Sequence, residues 1–421
     1  MSLYIHMSSA TTSAATATDP GSRAPQTVGL MVVLATVMVG TTMPTPLYAD
    51  YERAFGFSLL TVTVVYAMYA VGVLAALLAF GTWSDVLGRR PVLALGVFFA
   101  AASDVVFLLA DDTAVLLVAR VVSGLSAGVF VGTASVAIIE MAQGRLSSRA
   151  PLLASLATIG GLGMGPIVAS LLVTWAPSPL RTTYWVHLGL MVIAALIVVA
   201  VPETRGRHRD EKLGFMPLTV PAEIRAFFIR AAILGFAGFA VMGLFTALAP
   251  TIASRFAGVD SVIGQALLVA AVMGGSLAGQ IAGRALDDRI SEVVAIAMMI
   301  AGMALLVATL LAGHWPLLAA AGLVGGFGQG VAFARGLSGI ATGAPADRKA
   351  ATTSAYFVIT YIAISIPVVA EGLLSRAVGV RTAGIVFACV VSALALTAGV
   401  LAWREQTRVD DDAEKADAPA H

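Results

Sequence analysis

Apolar residues run along the chain in long blocks separated by short polar or Gly/Pro segments. The blocks are 27–48, 58–80, 91–109, 114–141, 151–175 and 183–201, then 228–252, 261–284, 293–311, 315–340, 351–374 and 382–403. About 20 apolar residues at 1.5 Å rise cross the ~30 Å hydrocarbon layer of a bilayer. Each block therefore predicts a membrane-spanning helix. The longest polar stretch between blocks is 202–227, which holds Arg205, Arg207, Arg209, Asp210, Glu211 and Lys212. It predicts a linker between two six-helix halves, 27–201 and 228–403. The first 26 residues are rich in Ser, Thr and Ala and predict a disordered segment, in which Met7 is a second candidate start. The polar, acidic stretch 404–421 predicts a disordered tail.

Composition narrows the class. The 421 residues are 59% hydrophobic and 12% charged, against roughly 25% charged in a soluble domain. This predicts an all-α integral membrane protein. The net charge of +1 gives no reason to expect nucleic acid. The single cysteine, Cys389, excludes a disulfide framework and a thiol metal cluster. The five histidines are scattered, without metal-ligand spacing. There is no G-x-x-x-x-G-K phosphate loop, and no nucleophile–base pair. Neither a cofactor, a metal nor an enzymatic activity is expected.

Charge sets the expected orientation. With the loop at residues 81–90 and both termini on one side, 19 of the 25 Lys and Arg face that side and five face the other. Arg120 is left over, within the fourth span. By the positive-inside rule the 19 are cytoplasmic, which predicts a multi-pass protein of the plasma (cytoplasmic) membrane.

The halves carry a repeat. A shift of 202 residues places Gly81 on Gly283, Asp85 on Asp287, Gly124 on Gly326 and Gly128 on Gly330. A shift of 201 places Pro166 on Pro367. Such repeats build alternating-access transporters, with substrate held near the midplane. Gly88 falls on Ile290, so the second copy of the loop is degenerate.

Three stretches carry candidate chemistry. The first is Gly81-x-x-x-Asp85-x-x-Gly88-Arg89-Arg90, between the second and third spans. Two glycines around one acid make a tight, charged turn. The second is Arg120-x-x-x-Gly124-x-x-x-Gly128 in the fourth span. A charge there costs about 2.5–3.5 kcal/mol on insertion scales and needs an interior partner. The third is Gly161-x-x-x-Gly165-Pro166 in the fifth span, where small residues allow close helix approach and proline removes a backbone hydrogen bond.

Together with Val-Pro-Glu-Thr at 201–204, these stretches resemble the major facilitator superfamily over roughly residues 27–403. The first resembles its signature loop, except that Val86 stands where the family has a basic residue. The second resembles the helix-4 motif of proton-coupled members, and the third the antiporter motif, with Ala169 and Ser170 in place of two glycines. The resemblance implies twelve helices in two pseudo-symmetric six-helix bundles, and no enzyme. It implies that Gly81, Asp85, Gly88, Arg89 and Arg90 gate the conformational change. Asp85 would latch the start of the eleventh helix, near residues 351–354, in the outward-open state, with Arg89, Arg90 or Arg149 supplying the charge missing at Val86. It further implies that Arg120 tunes a neighbouring acid.

Of the acids Asp50, Glu52, Asp104, Glu140 and Glu371, Asp104 is the first choice for the proton carrier, because it alone is flanked by apolar residues within a span on both sides. Candidate substrate contacts are Thr41, Thr42, Tyr66, Tyr69, Gln265, Gln329, Tyr356 and Tyr361, with Met38 and Met242 as adaptable apolar surface. The expected function is proton-coupled efflux of small lipophilic or neutral molecules. The alternatives are movement of a sugar or other metabolite by symport or efflux and, remotely, a membrane enzyme or a receptor. The expected partners are a small-molecule substrate, protons and the lipid bilayer, with a monomeric protein.

Overall fold

A computed structural model describes residues 24–204 and 214–417. Among these, twelve helices are long and apolar enough to cross a membrane, and the protein is an integral, multi-pass membrane protein. The helices are α1 (Ala24–Phe55), α2 (Leu59–Phe80), α3 (Arg89–Leu108), α4 (Thr113–Met141), α5 (Gly144–Trp175) and α6 (Pro179–Ala200). The second set is α7 (Ala222–Phe256), α8 (Val262–Ala282), α9 (Asp288–Ala312), α10 (Trp315–Gly343), α11 (Lys349–Val378) and α12 (Val380–Glu405). Lipid-facing surface is supplied by side chains such as Phe98, Trp185, Leu196 and Leu311.

Within the first set α4 packs on α2 and α3, α1 on α5, and α3 on α6. Within the second, α10 packs on α8 and α9, and α12 on α7 and α9. The repeat is visible in this packing. Gly124 and Gly128 seat α4 against the backbone of α2 at Tyr69 and Val73. At the matching positions Gly326 and Gly330 seat α10 against α8 at Val272 and Ser276. The sets meet along two seams, α5 on α8 and α2 on α11.

Helix ends differ from the expected ones for local reasons. The expected end of the first span at residue 48 is passed: after Thr42 a 3-10 turn at Thr45–Leu47 carries the chain into Tyr48–Phe55. Proline early in a helical turn costs no hydrogen bond, so Pro44 and Pro46 bend the chain without ending it. Gly56, at φ 67, then caps it. The eleventh span is two helices, Lys349–Ala363 and Ile366–Val378, broken where Pro367 leaves the Ala363 carbonyl without its donor. The expected disordered tail is a correction: the last helix runs on to Asp417. Its continuation past the membrane is held by Glu405, which pairs with Arg230. Of the expected disordered start, residues 24–26 are instead the first turn of α1, while residues 1–23 and the linker charges 205–212 lie outside the described residues.

Candidate functional site: a central cavity with a buried cation

A cavity of ≈ 420 Å³ lies between the two sets of helices. Its walls are largely apolar, with Ile159, Leu162, Phe239, Met242, Phe333 and Phe357 among them, and Gln280 and Gln329 supply the amides. It reaches the exposed Ile139, Pro151 and Arg284, at the end of the bundle that bears Asp85. At its inner end Leu162, Phe239, Met242 and Tyr361 also wall a smaller chamber of ≈ 70 Å³. That chamber holds Thr41, Thr42, Tyr66, Tyr69 and Arg120. Toward the opposite end, the buried Leu47, Tyr48 and Tyr51 close the path, and a separate vestibule of ≈ 240 Å³ lies beyond.

Arg120 is 2% exposed. Its Nη1 donates to the Thr41 carbonyl at 2.8 Å, and the guanidinium lies 4.9 Å from the Tyr69 ring centroid and 5.9 Å from that of Tyr66. A desolvated cation over an aromatic face gains about 2 kcal/mol. Two such faces and a hydrogen bond are of the size needed to offset the ~3 kcal/mol insertion cost. Nε is buried with no hydrogen-bond partner, so its N–H is left unused. At the repeat position, Gly322, the ring of Phe245 closes in instead.

Behind Arg120 lies a second polar group. Asp104 Oδ2 is 2.7 Å from His187 Nδ1, and His187 Nε2 donates to the Thr36 carbonyl at 3.0 Å. Both side chains are buried. The imidazole fits because residue 40 is glycine: a Cβ there would collide with the ring. A gap of ≈ 10 Å³, about the volume one water needs, lies between this pair and Thr41, lined also by Ser103, Ser123 and Ser126.

At the Asp85 end, Arg89 is the hub. It is 5% exposed. Nη1 donates to Ser84 Oγ at 2.8 Å and Asp85 Oδ1 at 2.9 Å. Nη2 and Nε donate to Glu140 at 2.9 and 3.3 Å, a bidentate pairing. Glu203 accepts from the backbone N–H of Arg89 at 2.7 Å and of Arg90 at 3.1 Å, which caps α3 and places a negative charge at its electropositive start. Gly88, at φ 97, makes the approach possible, since a Cβ would stand 2.6 Å from Glu203 Oε2. Met216 N donates to the Leu78 carbonyl and Thr82 Oγ1 to that of Gly214, so the described part of the linker docks beside Gly81.

In α5, Gly161 and Gly165 face α1 so closely that a Cβ on either would clash with its backbone. Pro166 leaves the Leu162 carbonyl without its helical donor, and Thr42 Oγ1 donates to it at 2.8 Å.

Residues 30–366 match the family model of the Major Facilitator Superfamily. The chain belongs to this superfamily. Its similarity to known members is distant. It is 28% identical over 238 residues to the class D tetracycline resistance protein of Salmonella ordonez, covering 54% of this chain and 58% of that protein. It is 28% identical over 139 residues to a triacylglyceride transporter of Mycolicibacterium smegmatis, covering 32% and 24%. The chain thus spans 58% or less of the length of these curated relatives. Its fold superposes on a bacterial homologue of the human lysosomal transporter Spinster, solved inward-facing and unoccupied, with a TM-score of 0.69 at 15% identity, over 90% of this chain and 97% of that one.

In this superfamily member the predicted residues divide. Thr41, Thr42, Tyr66, Tyr69, Gln329, Tyr361 and Met242 line the cavity or its inner chamber. Three stand elsewhere. Gln265 lines the far vestibule and bonds the Val259 carbonyl, because its helix is entered there. Tyr356 is 0% exposed and packs on Gly235 and Gly336, filling space those glycines leave. Met38 packs on Gly161. Asp85 pairs with Arg89. At the described start of α11, Thr352 Oγ1 donates to the Thr219 carbonyl of the linker. The sequence reading missed His187 as a partner of Asp104. It also missed Glu140 and Glu203 as partners of Arg89 and the α3 start. Glu203 sits inside a motif already noted, but which groups it meets depends on the fold.

Proposed function

We propose that the protein exports small lipophilic or neutral molecules in exchange for protons, by rocking 27–201 against 228–403. The observation that carries this reading is Arg120: a permanent cation in the chamber wall, separated from the Asp104–His187 pair by Thr41 and a water-sized polar gap. A charge held there changes the cost of placing or removing a proton on its neighbours. Asp104 is the proton carrier in this reading and His187 positions it. The apolar walls suit a lipophilic guest, since a sugar would leave most of its hydroxyls without partners. The tetracycline-resistance and triacylglyceride relatives are consistent with such cargo. The Lys and Arg distribution supports a plasma-membrane protein with both termini and the Asp85 loop cytoplasmic. The cavity then faces the cytoplasm, the side from which an exporter loads. The reading takes the protein as a monomer.

The test is proton flux in proteoliposomes against a panel of lipophilic cations, neutral drugs and sugars. Outward substrate movement coupled to inward proton movement is expected, with lipophilic compounds active. Inward, proton-driven sugar uptake would favour the metabolite alternative.

A further inference from the structure

The second half contains a buried carboxyl that the reading above does not use. Glu371 is 3% exposed, and neither Oε1 nor Oε2 has a hydrogen-bond partner. One turn on, Ser375 Oγ is also buried and unpartnered. Oε1 faces Gly384 of α12, 3.8 Å from where a Cβ would stand, beside Leu310 of α9. Among the described residues no cation meets it: Arg376 is exposed on its own helix, and Arg381 of α12 lies over the Phe256 ring at 5.4 Å. A carboxylate without partners in such surroundings is far costlier than a carboxylic acid.

The next residue faces the other half. Gly372 approaches α2 so closely that a Cβ would collide with Thr63, and Thr63 is fully buried. This contact belongs to the α2–α11 seam at the end away from Asp85, the outer end in the orientation proposed above. The segment Ile366–Val378 that carries both residues is separated from the rest of α11 by the break at Ile364 and Ser365.

We infer that Glu371 is a proton-binding site whose occupancy seals the outer seam. With the proton bound, the neutral acid stays among Leu310 and Gly384, and Gly372 seats on Thr63. Loss of the proton, from the carboxyl O–H to water, leaves a carboxylate that must be hydrated. Ile366–Val378 then swings about the break and the seam opens. A proton is the ligand that fits, because a metal ion needs several oxygen donors and the described residues hold no group of three His, Cys, Asp or Glu that could bind one.

The direction of coupling rests on the proposed orientation, but the test needs no substrate. Spin labels at Ala54→Cys and Ala377→Cys, in a Cys389→Ser background in lipid nanodiscs, report the outer-end distance from low to high pH. The expected result is a shift to longer distances as pH rises, lost in Glu371→Gln, which stays short throughout, and retained in Asp104→Asn. The parent's infrared spectrum should show a buried carboxylic-acid C=O band missing from Glu371→Gln. A parent distance that ignores pH overturns the proposal. So does a Glu371→Gln distance that follows pH as the parent does, or a distance that answers to sodium at fixed pH. Failure of proton-coupled export in the flux assay would leave these distances unaffected.

Discussion

Asp104 and His187, 83 residues apart in sequence, meet at 2.7 Å between α3 and α6. The Thr36 carbonyl can only accept, so the Nε2 that bonds it at 3.0 Å carries a hydrogen. The 2.7 Å bond then needs one further proton, on Nδ1 or on Oδ2. In either form the pair is electrically neutral. Removing that proton leaves a lone pair facing a carboxylate, or facing the Thr36 carbonyl. The arrangement therefore holds a proton and ties α1, α3 and α6 together through it.

His187→Ala leaves Asp104 buried without its partner, a loss of about 1–3 kcal/mol. A lower thermal midpoint in detergent and a displaced pH profile of transport are expected. Asp104→Asn should flatten that profile. An unchanged profile in Asp104→Asn removes the residue as carrier.

Arg89 joins the loop to α4 through a bidentate pairing with Glu140 that lysine cannot reproduce. Arg89→Lys should slow turnover while leaving the apparent affinity for substrate unchanged, because the residue lies outside the cavity. A raised KM with unchanged kcat would contradict a gating role.

Glu203 caps two backbone N–H groups at the start of α3. Glu203→Ala should cost about 1 kcal/mol, read as a lowered thermal midpoint. Gly88→Ala should cost more, because it both strains a residue at φ 97 and crowds Glu203. Equal stability of Gly88→Ala and the parent would rule this packing out.

Thr42 serves the carbonyl that Pro166 strands. Thr42→Val keeps the shape and removes the hydroxyl, leaving a buried carbonyl unpaired at a cost of about 1–3 kcal/mol. The double variant Thr42→Val with Pro166→Ala should recover most of that loss, since the helical donor returns. No recovery would mean that the proline and the threonine act independently.

The spans were legible because a bilayer demands long apolar runs, and each run in the chain is one helix or a broken pair. Arg120 was legible because a charge in such a run is rare enough to need an explanation. The continuation of α1 past Pro46 was hidden because Tyr48–Phe55 is a short, mixed helix. The tail helix was hidden because what holds Glu405 is Arg230, 175 residues away. His187 and Asp104 each looked isolated in an apolar run, and only the packing of α3 on α6 pairs them. Tyr356 and Gln265 show the converse. A polar side chain in a span reads as a cavity residue until glycines or a helix end give it another place.

The account turns on Arg120, and proton flux through reconstituted Arg120→Ala tests it most directly. The account predicts a folded protein that still binds a lipophilic substrate but moves no protons with it. Arg120→Lys, which keeps the charge but loses the guanidinium over Tyr69, is expected to lie between. Coupled flux in Arg120→Ala equal to that of the parent would contradict the account.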